Sequence, residues 1–146
     1  MPTTRVLVVD DDPGTREVLR LILTKAGYEV VEAEDGEDAI ATIKSADNPL
    51  MVDTIFCDLK MPKVAGMEAI AFFRSHFPAV PVVVITGLPK EEIPGPVTLY
   101  KQGVVGCVLK PFGTEQITAV VERAIKERLR LQRLWDAQQE QKKQAS

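Results

Sequence analysis

The sequence predicts an α/β fold, with five parallel strands in one sheet, helices on both faces and an extended C-terminal helix. Three observations carry this. Short apolar runs alternate with stretches of helical period, five times over, the pattern of a parallel sheet buried on both sides. Acidic residues gather directly after the first and third runs, and no proline or glycine follows Gly113.

The first strand is expected over Arg5–Asp10, followed by a helix with Val18, Leu19, Ile22, Leu23 and Ala26 at spacings of three and four, ended by Gly27. Strand two spans Glu29–Ala33. Helix two runs from Glu37 to about Ser45 with Ala39, Ile40 and Ile43 inward, and the polar stretch Ala46-Asp47-Asn48-Pro49 breaks it. Strand three is expected over Asp53–Cys57 and helix three near Met67 to His76, with Pro62 and Gly66 in the loop between them. Pro78 and Pro81 precede strand four, Val82–Thr86. Pro89, Pro94 and Pro96 with Gly95 leave room only for a short or broken helix before strand five, Gly106–Leu109. Thr114 is placed to cap the last helix, with Ile117, Val120, Val121, Ala124 and Ile125 on one side. Helix formers then continue to about Gln144, so the helix should overhang the domain. This divides the chain into a domain over residues 1–127 and a helical extension over 128–146.

A chain of 146 residues, 45% apolar and 27% charged, is long enough for one ordinary core without disulfides or a structural metal. Lys and Arg number 18 against 21 Asp and Glu, a net charge of -3 that argues against general nucleic-acid binding. The charge is uneven: 11 basic and 16 acidic residues up to Gly113 give -5, and 7 and 5 thereafter give +2. No apolar run reaches the roughly 18 residues of a membrane span, and the start lacks the apolar stretch of a signal peptide, so a cytoplasmic location is expected. Cys57 and Cys107 lie in apolar runs and read as buried thiols. His76 reads as an ordinary helix residue, and one histidine excludes His-rich zinc sites.

Asp10, Asp11 and Asp12 follow VLVV, and Asp58 follows IFC, which sets carboxylates at the sheet edge where open parallel sheets bind ligands. Crowded carboxylates repel unless a cation neutralises them. Oxygen donors alone suit Mg2+, with Mn2+ as the alternative. Asp12 reads better as a cap for the first helix. Thr86 and Lys110 close strands four and five at the same edge, so a hydroxyl and an ammonium are available to a phosphoryl group that an aspartate has attacked.

Across roughly Arg5 to Glu127 the sequence resembles the receiver domain of bacterial two-component response regulators, of the chemotaxis-regulator-like kind. The resemblance rests on VLVVDD (Val6 to Asp11), Asp58-Leu59-Lys60-Met61-Pro62 with Gly66, VVVITG (Val82 to Gly87) and Lys110-Pro111-Phe112. It implies a flavodoxin-like doubly wound sheet and a signalling switch, not an enzyme, that assists its own phosphorylation and dephosphorylation. In that pattern Asp58 is the phosphoacceptor, and Asp10, Asp11, Asp58 and the backbone carbonyl of Lys60 hold Mg2+. Thr86 is the switch hydroxyl, Lys110 pairs with the phosphoryl group, the peptide before Pro111 is cis, and small Gly87 keeps the site open. The implied partner is a sensor histidine kinase or phosphotransfer protein, with no direct contact to nucleic acid or membrane.

Three departures stand out. Cys107 occupies the usual aromatic position three residues before the lysine, the prolines remodel the fourth helix, and Lys60 and Leu88 sit two residues beyond Asp58 and Thr86. Two other functions compete. One is a receiver-like binding module without phosphotransfer; the other is a haloacid-dehalogenase-like phosphatase with Asp10 and Asp12 as its DxD, which leaves Asp58 unexplained. The extension admits two readings: a homodimer seam from Ile117, Ala124 and Leu131 with Val121, Arg128 and Trp135, or a linker to an output domain outside this chain.

Overall fold

The computed structural model describes residues 4–44, 52–61 and 65–145. Five parallel strands, β1 (Arg5–Val9), β2 (Glu29–Ala33), β3 (Thr54–Cys57), β4 (Val82–Thr86) and β5 (Val104–Leu109), form one sheet in the order β2-β1-β3-β4-β5. The helices are α1 (Pro13–Lys25), α2 (Gly36–Lys44), α3 (Gly66–His76), α4 (Pro96–Lys101) and α5 (Thr114–Ala145), with a 3-10 turn at Lys90–Glu92. The chain leaves β1 toward one edge and returns to build toward the other. The strand order therefore reverses between β1 and β3, and a crevice opens beyond their carboxyl ends.

Each central strand is apolar on both sides because helices cover both. Leu7, Val9, Ile55, Cys57, Val82 and Val84 face one core with Ala69, Ile70 and Phe73 of α3. Val6, Val8, Phe56, Val83 and Ile85 face the other with Leu19 and Leu23 of α1 and Ile117, Val121 and Ala124 of α5. This explains why the strands read as unbroken apolar runs, whereas the edge strand β2 buries only Ala33 fully.

The structure moves several expected boundaries and burials. Asp10 and Asp53 lie just outside their strands, and β5 begins at Val104 rather than Gly106. The ladder shifts between Val82, paired with Val104, and Val83, paired with Gly106, so Gly106 marks a bulge inside the strand. A Cβ there would meet Val120 Cγ2 at 2.5 Å, so the missing side chain lets α5 approach. Thr114 is the first residue of α5, not its cap; the Gln116 side chain reaches back to accept from the Gly113 N–H at 2.8 Å. Asp12 does cap α1, accepting from the Gly14 N–H at 3.1 Å, and Gly27 ends that helix with φ 97°. Val18 points to solvent. Cys57 is buried, but Cys107 is exposed: it alternates with Val108 onto the face beside α4, and that six-residue helix is too short to cover it. The expected break at Ala46-Asp47-Asn48-Pro49, the end of helix two at Ser45, and Pro62 lie outside the described residues.

The long last helix is present as 32 residues, about 48 Å at 1.5 Å per residue. Its fully buried residues are Ile117, Val120, Val121 and Ala124, so this half of the proposed seam packs on the sheet. Beyond them Arg128 fastens the helix to the lower end of the sheet, facing Asp53 at 3.7 Å and donating to the Ala79 carbonyl at 3.4 Å. Leu129, Leu134 and Trp135 remain 57%, 50% and 42% exposed. No helix among the described residues is long and apolar enough to cross a membrane.

Candidate functional site

Asp10 is the first residue past β1. Its N–H still bonds the Ala33 carbonyl of β2 at 3.2 Å, and its own carbonyl, beyond the ladder, accepts from Arg16 Nη1 of α1 at 2.6 Å. The carboxylate is 1% exposed and doubly held. Oδ1 accepts from the Asp12 N–H at 2.9 Å, and Oδ2 pairs with Lys110 Nζ at 2.8 Å. Asp58 emerges likewise from β3, its N–H bonded to the Val9 carbonyl at 2.9 Å. Its Oδ1 accepts from the Lys60 N–H at 3.2 Å and its Oδ2 from Lys110 Nζ at 3.2 Å. One ammonium thus bridges both carboxylates.

The Lys110 N–H bonds the Thr86 carbonyl at 2.8 Å, which holds the lysine at the end of β5, and the peptide between Lys110 and Pro111 is cis. Thr86 ends β4 fully buried, its Oγ1 accepting from the Leu88 N–H at 3.1 Å. Gly87 lies across from the lysine stem, where a Cβ would sit 3.7 Å from Lys110 Cδ. The cleft between these groups is lined by Asp11, Asp58, Lys60, Leu88, Glu92 and Lys110.

Burial, reinforced by the Asp58 charge, pushes the Asp10 carboxyl above its ordinary value of 3.8, although Lys110 and the Asp12 amide pull the other way. Desolvation works to lower Lys110, but the hydrogen bonds and charges of Asp10 and Asp58 outweigh it and hold the ammonium above 10.5. Asp12, fully exposed, is lowered by its bonds from the Thr15 hydroxyl and the Gly14 amide, which is the signature of a cap.

Asp10, Asp11 and Asp58 each offer an oxygen, and these lie within 4.8 Å of one another. Three carboxylates against one ammonium leave a charge of -2 in a half-enclosed cleft. An all-oxygen donor set with that imbalance fits a hard divalent cation such as Mg2+.

Every site residue named from sequence is therefore brought to one sheet edge, except Asp12, which is spent on capping, and Pro62, which lies outside the described residues. Sequence reasoning missed Arg16 and Glu92. Arg16 was hidden because its contact is to a backbone carbonyl, and Glu92 because the proline-bracketed turn that carries it has no period to read.

The response regulator receiver domain family matches residues 6–122, and the chain belongs to that family. It is a signalling module of two-component systems. Among curated proteins it is similar to the transcriptional regulatory protein GlrR of Escherichia coli (strain K12), 33% identical over 122 residues, covering 84% of this chain and 26% of that protein. It is also similar to the DNA-binding transcriptional regulator NtrC of Salmonella typhimurium, 32% identical over 120 residues, covering 82% of this chain and 24% of that protein. The chain thus spans about a quarter of the length of these relatives. The second name gives no support to an expectation that nucleic acid plays no part. The CheY-like receiver domain protein of Methanospirillum hungatei JF-1 superposes with a TM-score of 0.78 at 22% identity, covering 88% of this chain and 98% of that one, and confirms the doubly wound fold.

Proposed function

We propose that this domain works in the cytoplasm, where Asp58 accepts a phosphoryl group from a sensor histidine kinase or phosphotransfer protein, and that the domain then changes conformation to control a partner or an output domain. The observation that carries this is the single Lys110 ammonium bridging Asp10 and Asp58 beside three clustered carboxylate oxygens. Asp58 supplies the oxygen that attacks phosphorus, so that an acyl phosphate forms as the phosphorus–nitrogen bond of the donor's phosphohistidine breaks and its imidazole leaves. Lys110 shifts its bond from the carboxylate to the incoming phosphoryl oxygens, and Thr86 turns its hydroxyl toward them. Asp10, Asp11, Asp58 and the Lys60 carbonyl would hold Mg2+, or Mn2+ in its place. When bound, the ion neutralises charge developing on the phosphoryl group. The same groups assist transfer and later hydrolysis, so the domain is a switch rather than an enzyme acting on a separate substrate.

Intact mass after incubation with acetyl phosphate and Mg2+ tests this reading. The parent is expected to gain one phosphate, about 80 Da, and Asp58→Asn none. No gain in the parent, with the kinase also tried, would leave a receiver-like binding module.

Leu88 is half-buried and lines the cleft, and we propose that it flanks the approach of a hydrolytic water to the phosphoryl group. Its apolar side chain hinders that water and prolongs the phosphorylated state. Leu88→Asn should shorten the lifetime about tenfold, the equivalent of about 1.4 kcal/mol of barrier. A parent half-life of only seconds without a phosphatase contradicts this.

We assign residues 1–127 to the receiver and 128–146 to the helical extension. Leu134 and Trp135, with half-buried Leu131, form an apolar stripe that suits pairing of two extensions. Light scattering is expected to show mass rising toward a dimer with concentration; a monomer at high concentration with the helix intact would favour the linker reading. The transcriptional regulators among its relatives point to transcription as the output.

A further inference from the structure

We propose that Arg16 is a positioning residue for the cation-binding carboxylates, holding the Asp10–Asp11 turn through the backbone carbonyl of Asp10. The inference rests on the reading of Asp10, Asp11 and Asp58 as a divalent-cation site. Asp10 is the point at which β1 stops pairing: its N–H belongs to the ladder, bonded to Ala33, while its carbonyl has left it. That carbonyl belongs to the peptide joining Asp10 to Asp11, so its orientation sets the turn that presents the Asp11 carboxylate and the Asp12 N–H that holds Asp10 Oδ1. The Arg16 guanidinium supplies the missing partner through Nη1 at 2.6 Å.

The guanidinium is itself held. Its Nε faces Glu32 Oε1 of β2 at 3.5 Å, and the other Glu32 oxygen faces Arg20 Nε at 3.6 Å. Glu32 sits one residue before Ala33, the residue that accepts the Asp10 N–H. The end of β2 thus grips Asp10 twice, directly through Ala33 and indirectly through Glu32 and Arg16. Only an arginine serves here: its planar fork addresses a carbonyl and a carboxylate at once, which a single ammonium does not.

Charge alone and positioning predict opposite signs. Removing a cation near a cation site should tighten metal binding by relieving repulsion. Releasing a group that orients metal ligands weakens binding, by 10- to 100-fold in metal sites generally.

The experiment is titration of the full chain with Mn2+ alone, reading free Mn2+ by electron paramagnetic resonance, alongside the thermal unfolding midpoint of each variant without metal. Arg16→Met is expected to bind Mn2+ about tenfold or more weakly, Arg16→Lys to fall between it and the parent, and Arg20→Met to bind as the parent does. Equal or tighter binding by Arg16→Met overturns the proposal, as does an equal loss in Arg20→Met. Should Arg16→Met fail to fold, Arg16→Lys decides, and parent-like affinity there overturns it. A parent that binds no Mn2+ overturns the cation-site reading and this inference with it, whereas a binding parent matched by Arg16→Met removes the inference alone.

Discussion

Gly66→Ala is expected to destabilise the fold by about 3 kcal/mol, the upper range for forced overpacking, and to slow phosphoryl uptake at the same time. The Gly66 N–H bonds the Leu59 carbonyl at 3.2 Å, which folds the start of α3 back onto the turn that follows Asp58. A Cβ at position 66 would lie 2.3 Å from the Asp58 carbonyl oxygen and 2.5 Å from the Leu59 Cα. These are backbone atoms, so no side chain can swing aside. Either α3 withdraws, opening the core around Phe73, or the Asp58 turn moves and the acceptor leaves Lys110. The urea midpoint and the rate of acetyl phosphate uptake report the two costs. An unchanged midpoint with unchanged uptake would show that the approach is not a constraint.

Lys110→Met is the second large effect, and its dependence on pH is the informative part. Breaking a fully buried ion pair from one side costs about 3–5 kcal/mol. The Lys110 side chain is 24% exposed, and water reaching the cleft reduces this toward about 2 kcal/mol at pH 7. The folded Asp10 carboxyl already titrates above its ordinary 3.8, and loss of the ammonium removes two of the influences that hold it down. A carboxyl with a raised folded pKa favours the fold below its unfolded value, and that contribution disappears as pH rises through the folded pKa. The variant's deficit is therefore expected to be full at pH 7 and to shrink as pH falls through the folded Asp10 pKa toward 3.8. At the alkaline end the sign is that of the lysine. Its raised pKa gives the parent stability that is present below 10.5 and lost as pH rises through the folded value. Thermal unfolding of parent and variant at pH 4.5 and 7 checks this. A deficit that does not change with pH would mean that Lys110 acts by packing and not by charge.

Most of the site was legible because strand ends are. In a parallel sheet covered on both faces the strands are short apolar runs, and whatever polar residue follows each run arrives at the same edge. Asp10, Asp58, Thr86 and Lys110 could be placed together with no knowledge of their contacts. What escaped the sequence was decided between elements. The exposure of Cys107 depends on how short α4 is, and the true start of β5 depends on a bulge against β4. Val18 has the spacing of a buried residue but lies on the rim of the α1 face, where the sheet no longer covers it. Arg16 could be read as an ordinary helix charge, since nothing in its own segment reveals that the Asp10 carbonyl would be left without a ladder partner.

The central claim is that Asp58, and not the neighbouring acids, carries the phosphoryl group. An aspartyl phosphate is reduced by borohydride to homoserine, which marks the modified position in a peptide map. After acetyl phosphate and Mg2+, homoserine is expected at position 58 and should vanish when EDTA removes the metal. Homoserine at Asp10 would contradict the account and favour the phosphatase-like chemistry in which the first strand carries the nucleophile.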